Sequence, residues 1–216
     1  MISTQLDTIK ELMEYGVPKE HLAEANEFLE EFENDIVALN LLHSFYSFLP
    51  DGIEDWIREL RIINKKEGLF LICAVTARNE YLYLVNQERA EFLGQLKEGI
   101  YDTEVLDFFG YTAAERIENI TKDLTSHPLY SPAYENEELC PVCTTANGEY
   151  HTLGCPVEVC PWCGGQLTNC NCRFTVLEKS RISSEQDLRT FEEKLSKKGR
   201  IAYDSISQRP AYPSQE

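Results

Sequence analysis

The sequence predicts an α+β protein: a mainly helical N-terminal domain with a small β-hairpin, a small cysteine-rich module and a C-terminal helix. Two observations support this fold class. Apolar residues recur at helical spacing through most of residues 1–124, interrupted by two short apolar runs of strand length. Seven of the eight cysteines then fall within residues 140–172, a stretch too short to bury a large core of its own.

Composition and charge narrow the class of protein. The chain has 216 residues, of which 43% are hydrophobic, so it can bury a core and is not a disordered chain. The net charge is −17, and residues 1–139 carry 28 acidic and 11 basic side chains. Because such a surface repels phosphate backbones, the charge argues against direct nucleic-acid binding.

The cellular location is predicted from two absences in the sequence. No apolar run reaches the roughly 18 residues that a membrane helix needs. The first residues lack the basic and apolar regions of a signal peptide. We therefore expect a cytoplasmic protein with no membrane partner, in which cysteines stay reduced and clustered cysteines favour metal over disulfides.

The N-terminal domain, residues 1–124, is predicted as follows. Helices are expected over residues 3–16, 18–32, 36–48 and 53–63, each from apolar spacing and its bounding Gly, Pro or capping residue. The runs LFLICAVT (69–76) and YLYLV (81–85) predict the β-hairpin. Further helices are expected over 86–97, 102–110 and 112–124, with Asn86, Asp102 and Thr112 as caps.

The rest of the chain divides into three predicted segments. Residues 125–139, which contain Pro128 and Pro132, are expected to form a linker. Residues 140–177 are expected to form the cysteine-rich module, ending in a short strand over 174–177. Residues 178–216 are expected to contain a helix from Ser184 to about Lys197, and the last residues, 207–216, are expected to be mobile or to lie along a surface.

The cysteine-rich module contains two CPxC turns, Cys140-Pro-Val-Cys143 and Cys160-Pro-Trp-Cys163. Two residues between cysteines let both sulfurs reach one ion, and a glycine after the second cysteine suits a left-handed turn. Seven cysteines and His151 give eight candidate ligands, enough for two tetrahedral zinc ions. The candidate ligands are Cys140, Cys143, His151, Cys155, Cys160, Cys163, Cys170 and Cys172.

The spacing of these turns resembles that of zinc ribbons and zinc knuckles as a class. The resemblance covers residues 140–172 and implies metal binding without implying an activity. The segment GEYHTLGCPVEVCPWCGGQLTNCNC is also similar to a segment of uncharacterised bacterial proteins.

The spacing leaves the pairing of ligands open. In a sequential arrangement, Cys140 to Cys155 hold one ion and Cys160 to Cys172 hold the other. In an interleaved arrangement, the two CPxC turns share one ion. A single ribbon site with spare thiols is a third arrangement, and iron in a four-cysteine site is the alternative to zinc.

The predicted function is a non-catalytic protein-interaction or adaptor role, with structural zinc sites and a protein partner. With four protein ligands a zinc ion keeps no position for a reacting water, which argues against catalysis at the metal. One alternative is an acidic regulator that mimics nucleic-acid charge on a partner. Another is an enzyme with a site in the N-terminal domain, which a pocket around Tyr81 and Tyr83 would favour.

Overall fold

The computed structural model describes residues 2–50, 52–112, 124–132 and 139–208. The chain divides into two compact units, Met1–Asn136 and Glu137–Glu216. No helix in these described ranges is both long and apolar enough to span a bilayer.

The first unit begins with three helices: α1 (Ile2–Gly16), α2 (Leu22–Glu31) and α3 (Ile36–Ser47). A short 3-10 turn, Lys19–His21, precedes α2. Asp35 begins α3, and its side chain accepts a 2.8 Å hydrogen bond from the amide of Ala38. These three helices follow the apolar spacing that predicted them.

A four-stranded antiparallel sheet follows the helices, in the order β1-β2-β3-β4. The strands are β1 (Ile57–Lys66), β2 (Leu69–Thr76), β3 (Glu80–Val85) and β4 (Ala90–Gln95). The predicted hairpin is the inner pair, β2 and β3. The sheet therefore has two strands more than the predicted hairpin. The helices expected over 53–63 and 86–97 are wrong, because β1 and β4 lie there.

Strand β1 was mistaken for a helix because its buried residues recur every third position. Ile57, Leu60 and Ile63 are buried, whereas a flat strand would bury alternate residues. Its pairing with β2 shifts register between Ile57 and Glu59 and again between Ile62 and Asn64. Each bulge adds a residue and moves the next side chain to the other face, which produces helix-like spacing.

Strand β4 was missed because Asn86 caps a turn and not a helix. The Asn86 side chain accepts 2.9 Å hydrogen bonds from the backbone amides of Glu88 and Arg89. The backbone amide of Asn86 donates a hydrogen bond to the Arg89 carbonyl. This turn reverses the chain into β4. The same side-chain chemistry that starts a helix therefore closes a hairpin here.

The sheet is covered by apolar residues on both faces, as the alternation along β2 shows. Phe70, Ile72 and Ala74 pack with residues of α1, α2 and α3. Leu71 and Cys73 pack on the other face with residues around α4 (Thr103–Phe109). Burial raises the pKa of Cys73 to about 12, which fits the buried structural cysteine expected from the sequence.

Helix α4 has the ends that the sequence predicted. The Asp102 side chain accepts from the amides of Glu104 and Val105, and Gly110 ends the helix with a φ of 75°. Most of the helix predicted over 112–124 lies outside the described residues. Leu124–Ser126 forms a 3-10 turn.

Part of the predicted linker, residues 125–139, packs against the first unit. The Ile62 amide donates to the Pro128 carbonyl, and the Tyr130 amide donates to the Leu60 carbonyl. Tyr130 is buried, and its hydroxyl donates a 2.9 Å hydrogen bond to Asp35. Residues 128–130 therefore cover the outer edge of β1 and do not run free.

The described part of the second unit contains two helices, α5 (Cys172–Leu177) and α6 (Glu185–Lys198). The strand expected over 174–177 is wrong, because the Asn171 carbonyl accepts from the amides of Phe174 and Thr175 and starts a helical turn. Ser184 caps α6, as expected. Leu177, Phe191 and Leu195 pack with Leu167 and Cys160 in a small core.

Candidate metal centres

The two CPxC turns fold in the same way. In the first turn, the Cys140 amide donates to the Thr145 carbonyl at 2.8 Å, and the Thr144 amide donates back to the Cys140 carbonyl at 2.9 Å. A single bridge joins Leu139 to Ala146 beside it. These bonds bring Cys140 and Cys143 side by side, as expected for two ligands of one ion.

The second turn repeats these bonds 20 residues later in the chain. The Cys160 amide donates to the Gly165 carbonyl at 2.7 Å, and the Gly164 amide donates to the Cys160 carbonyl at 2.8 Å. The residue after the second cysteine is left-handed in both turns, with φ of 75° at Gly164 and 55° at Thr144. The sequence signalled this conformation only in the second turn, where the residue is glycine.

The eight candidate ligands form two groups in the sequential arrangement. The first cluster is Cys140, Cys143, His151 and Cys155, and the second cluster is Cys160, Cys163, Cys170 and Cys172. Within each cluster the four ligand atoms lie within 4.8 Å of one another. The structure therefore separates the two CPxC turns, which the interleaved arrangement would have joined.

The spacing of ligand atoms fits a tetrahedral zinc ion. A Zn–S bond of about 2.3 Å places two sulfurs of a tetrahedral site about 3.8 Å apart. The Sγ atoms of Cys140 and Cys155 are 3.9 Å apart, and Cys143 Sγ lies 3.2 Å from His151 Nδ1. The donor set of the first cluster, three thiols and one imidazole, is a common zinc set.

The first cluster is largely enclosed by protein. Cys140 and His151 are fully buried and Cys155 is 5% exposed, whereas Cys143 is partly exposed. Hydrogen bonds from the Cys140 and Cys155 thiols lower the pKa of Cys143, so the cluster readily holds a thiolate. Burial lowers the pKa of His151, but hydrogen bonds to Cys140, Cys143 and Gln208 outweigh it and raise the pKa to about 10.

The second cluster is open on one side. Cys160 is fully buried, whereas Cys163 is exposed and Cys170 and Cys172 are partly exposed. A backbone hydrogen bond from Gly165, followed by bonds from the Cys172 and Cys160 thiols, lowers the pKa of Cys163. The hydrogen bond with Cys163 raises the pKa of Cys172 to about 12.

The C-terminal segment (residues 200–208) surrounds the first cluster. Tyr203 is 2% exposed, and its ring meets that of His151 edge to face at 5.0 Å. The Tyr203 amide donates to the Glu149 carbonyl, and its hydroxyl donates to the Leu139 carbonyl. Residues 200–208 are thus part of the wall of the first cluster. Of the tail expected over 207–216, residues 207 and 208 belong to this wall, and residues 209–216 lie outside the described residues.

A buried ion pair also holds this segment. Arg200 Nε donates to Glu158 Oε1 at 2.6 Å, and another guanidinium nitrogen donates to the His151 carbonyl. Glu158 is fully buried, and no donor among the described residues reaches its Oε2. Glu158 lies between the two clusters in sequence, so Arg200 ties the C-terminal segment to the connection between them.

Sequence reasoning missed Arg200, Tyr203, Glu158 and Gln208 as neighbours of the first cluster. None of them belongs to a cysteine motif, and three of them lie about 30 residues or more beyond the last cysteine. The one available signal was Glu158, which lies between Cys155 and Cys160. A buried carboxylate in a small metal module needs a positively charged partner, which here is Arg200.

Tyr81 and Tyr83 are the residues considered for a pocket in the first unit. Tyr83 is 4% exposed and packs in the core, and its ring lies 5.5 Å from that of the exposed Phe92. Burial raises the pKa of the Tyr83 hydroxyl. Residues 75–80 with Gln95 and Lys97 line an open depression of about 270 Å³ beside the sheet. Neither Tyr81 nor Tyr83 lines it.

Comparisons of this chain with protein-family models, with curated proteins and with solved structures found no match. The resemblance to zinc ribbons therefore rests on the two clusters alone.

Proposed function

We propose that the chain is a zinc-binding protein in which two structural ions fold the second unit into a non-catalytic protein-interaction module. One observation carries the proposal: each cluster brings four ligand atoms within 4.8 Å of one another. The binding energy of such ions is folding energy, because four thiol or imidazole groups have no other reason to converge.

The number of ligands supports a structural role over a catalytic one. A catalytic zinc holds three protein ligands and keeps a place for water or substrate. Each cluster here supplies four side chains, which complete the coordination sphere of a tetrahedral zinc ion. When bound, zinc would supply cross-links between distant turns, while the protein supplies the thiolates and the imidazole.

The donor chemistry favours zinc over iron. His151 in the first cluster suits zinc and has no place in a four-cysteine iron site. The second cluster could hold either metal by donor type alone. The shared turn geometry of the two clusters supports the same metal in both.

A protein partner in the cytoplasm fits the charge of the molecule. The first unit is strongly acidic, and glutamates 24, 27 and 31 share an exposed face of α2. This face repels nucleic acid and attracts a basic protein surface. It also favours the second candidate function, an acidic regulator that mimics nucleic-acid charge, which requires that DNA compete with the chain for a basic partner.

The first test is the metal content of the purified, untagged protein by elemental mass spectrometry, together with a count of reactive thiols. We expect two zinc ions per chain and, after unfolding with zinc kept bound, one reactive thiol from Cys73. One zinc per chain, iron, or reactive thiols of the first cluster in the folded, zinc-loaded protein would contradict the two proposed zinc sites.

A second test removes the metal from the whole protein. Chelation should make residues 139–208 sensitive to protease while the first unit, which has its own apolar core, stays resistant. Unchanged protease resistance of residues 139–208 after complete loss of zinc would show that the metal does not hold this unit together.

A further inference from the structure

We propose that Gln208 positions His151 as a metal ligand by fixing which ring nitrogen carries the proton. This inference rests on the proposed function, since it concerns the same metal site. It assigns a role to a residue 53 positions beyond the last ligand of the first cluster. It also explains why the C-terminal segment packs against that cluster.

The hydrogen bonds around His151 define the role of each ring nitrogen. Nδ1 faces the cluster, 3.2 Å from Cys143 Sγ, so Nδ1 is the metal-binding atom. Nε2 lies on the far side of the ring, 3.1 Å from Gln208 Oε1. An imidazole binds a metal through one nitrogen only if the proton sits on the other.

The orientation of the Gln208 amide follows from its second partner. Gln208 Nε2 lies 3.0 Å from the Ala202 carbonyl oxygen, which can only accept a hydrogen bond. The amide nitrogen must therefore face Ala202, and the amide oxygen must face His151. Because that oxygen also can only accept, His151 Nε2 has to carry the proton, which leaves the Nδ1 lone pair for the metal.

The backbone of the C-terminal segment holds Gln208 in place. The backbone amide of Gln208 donates a 2.9 Å hydrogen bond to the Asp204 carbonyl. The Asp204 carboxylate accepts from the Ile206 amide at 3.0 Å and from the Ser207 hydroxyl at 2.7 Å, which closes a tight turn. This turn begins next to Tyr203, which is anchored by its own hydrogen bonds, so Gln208 is presented from a fixed support.

Outer partners of this kind commonly orient metal-bound histidines. Removing one typically weakens metal binding about 10- to 100-fold. We therefore expect Gln208→Leu to weaken zinc binding at the first cluster by that factor. The second cluster contains no histidine and should keep its affinity.

The test compares three variants of the full-length protein in a zinc competition titration against a chelator of known affinity. Gln208→Leu removes the acceptor, and Gln208→Glu keeps an acceptor oxygen for His151 while losing the donor to Ala202. Gln166→Leu is the matched control, because the Gln166 side chain bonds to Asn169 and not to a ligand. Nitrogen-15 NMR of labelled histidine reports which ring nitrogen of His151 binds the ion and which carries the proton in the zinc-loaded protein.

The inference predicts a specific pattern. In the zinc-loaded protein, Gln208→Leu should lose the single form of His151 in which Nδ1 binds the ion and Nε2 carries the proton, and it should bind the first ion more weakly. Gln208→Glu should keep both properties near those of the wild type, and Gln166→Leu should change neither.

Two results would overturn the inference, and they are distinguishable. If the wild type holds zinc at His151 but Gln208→Leu keeps the same His151 signals and affinity, then Gln208 has no positioning role while the metal site stands. If the wild type binds no metal at His151, the proposed function fails as well.

Discussion

The two clusters share one turn geometry but differ in their surroundings. The first cluster is closed by the C-terminal segment, with Tyr203 against the imidazole and Arg200 bonded to Glu158. The second cluster packs against α5 and α6 on one side and leaves Cys163 exposed on the other. The comparison teaches that identical CPxC turns fix the ligands, while the segments around them decide how accessible the ion is.

The largest expected effect comes from removing a buried ligand of the first cluster. His151→Ala should reduce the zinc content from two ions to one and make the C-terminal segment accessible to protease, because Tyr203 loses the ring against which it packs. Elemental mass spectrometry and limited proteolysis measure both effects. His127→Ala, a histidine outside both clusters, should keep two ions. Retention of two ions in His151→Ala would show that three thiols suffice.

The next effect concerns the order in which the ions are lost. A limiting amount of a thiol-alkylating reagent should modify Cys163 first and release one zinc before any cysteine of the first cluster reacts, because reagents need access to the sulfur. Peptide mass spectrometry with a zinc-sensitive dye follows both events. Equal modification of Cys140 and Cys163 would remove the proposed difference between the clusters.

Breaking the ion pair between Arg200 and Glu158 should make the ligands of the first cluster more accessible, as those of the second cluster already are. Arg200→Met leaves the Glu158 carboxylate buried without a counter-charge, which should lower the free energy of unfolding by about 3–5 kcal/mol. Denaturant unfolding with zinc present measures this change.

The double variant Glu158→Leu, Arg200→Met is the control for that ion pair. It should recover most of the stability, since it leaves no buried charge. A loss in the double variant as large as in Arg200→Met alone would mean that the hydrogen bond from Arg200 to the His151 carbonyl matters more than the ion pair.

The smallest effect compares the two turns themselves. Gly164→Ala should destabilise the second turn by about 1 kcal/mol, because an L-residue at positive φ is strained, and no atom lies close enough to clash with the new Cβ. Thr144→Gly relieves the same strain in the first turn but loses the hydrogen bond from the Thr144 hydroxyl to the Cys143 carbonyl. Its net change should therefore be smaller. Thermal unfolding of the zinc-loaded variants measures both, and no change in Gly164→Ala would show that the turn does not depend on glycine.

Sequence reasoning succeeded where the signal was local. Each cluster draws its ligands from a stretch of at most 16 residues, so spacing alone identified both groups as one of the three arrangements that it left open. The caps at Asp102 and Ser184 were predicted for the same reason. Metal ligation itself stays a prediction until it is measured.

Sequence reasoning failed where a distant contact set the structure. The two bulges of β1 depend on its pairing with β2, and they gave its apolar residues a spacing typical of helices. Gln208 and Arg200 reach their partners from 57 and 42 residues away, respectively. No local pattern marks such residues, because their role depends on where the chain returns in space.

The local ligand sets bear on how the protein is made. All ligands of the first cluster leave the ribosome about 50 residues before Gln208 does. The loop from Cys140 to Cys155 is short and costs little entropy to close. A nascent chain can therefore capture its first ion before the C-terminal segment has been synthesised. In a chain that captures its ion at this stage, closure by the C-terminal segment follows loading.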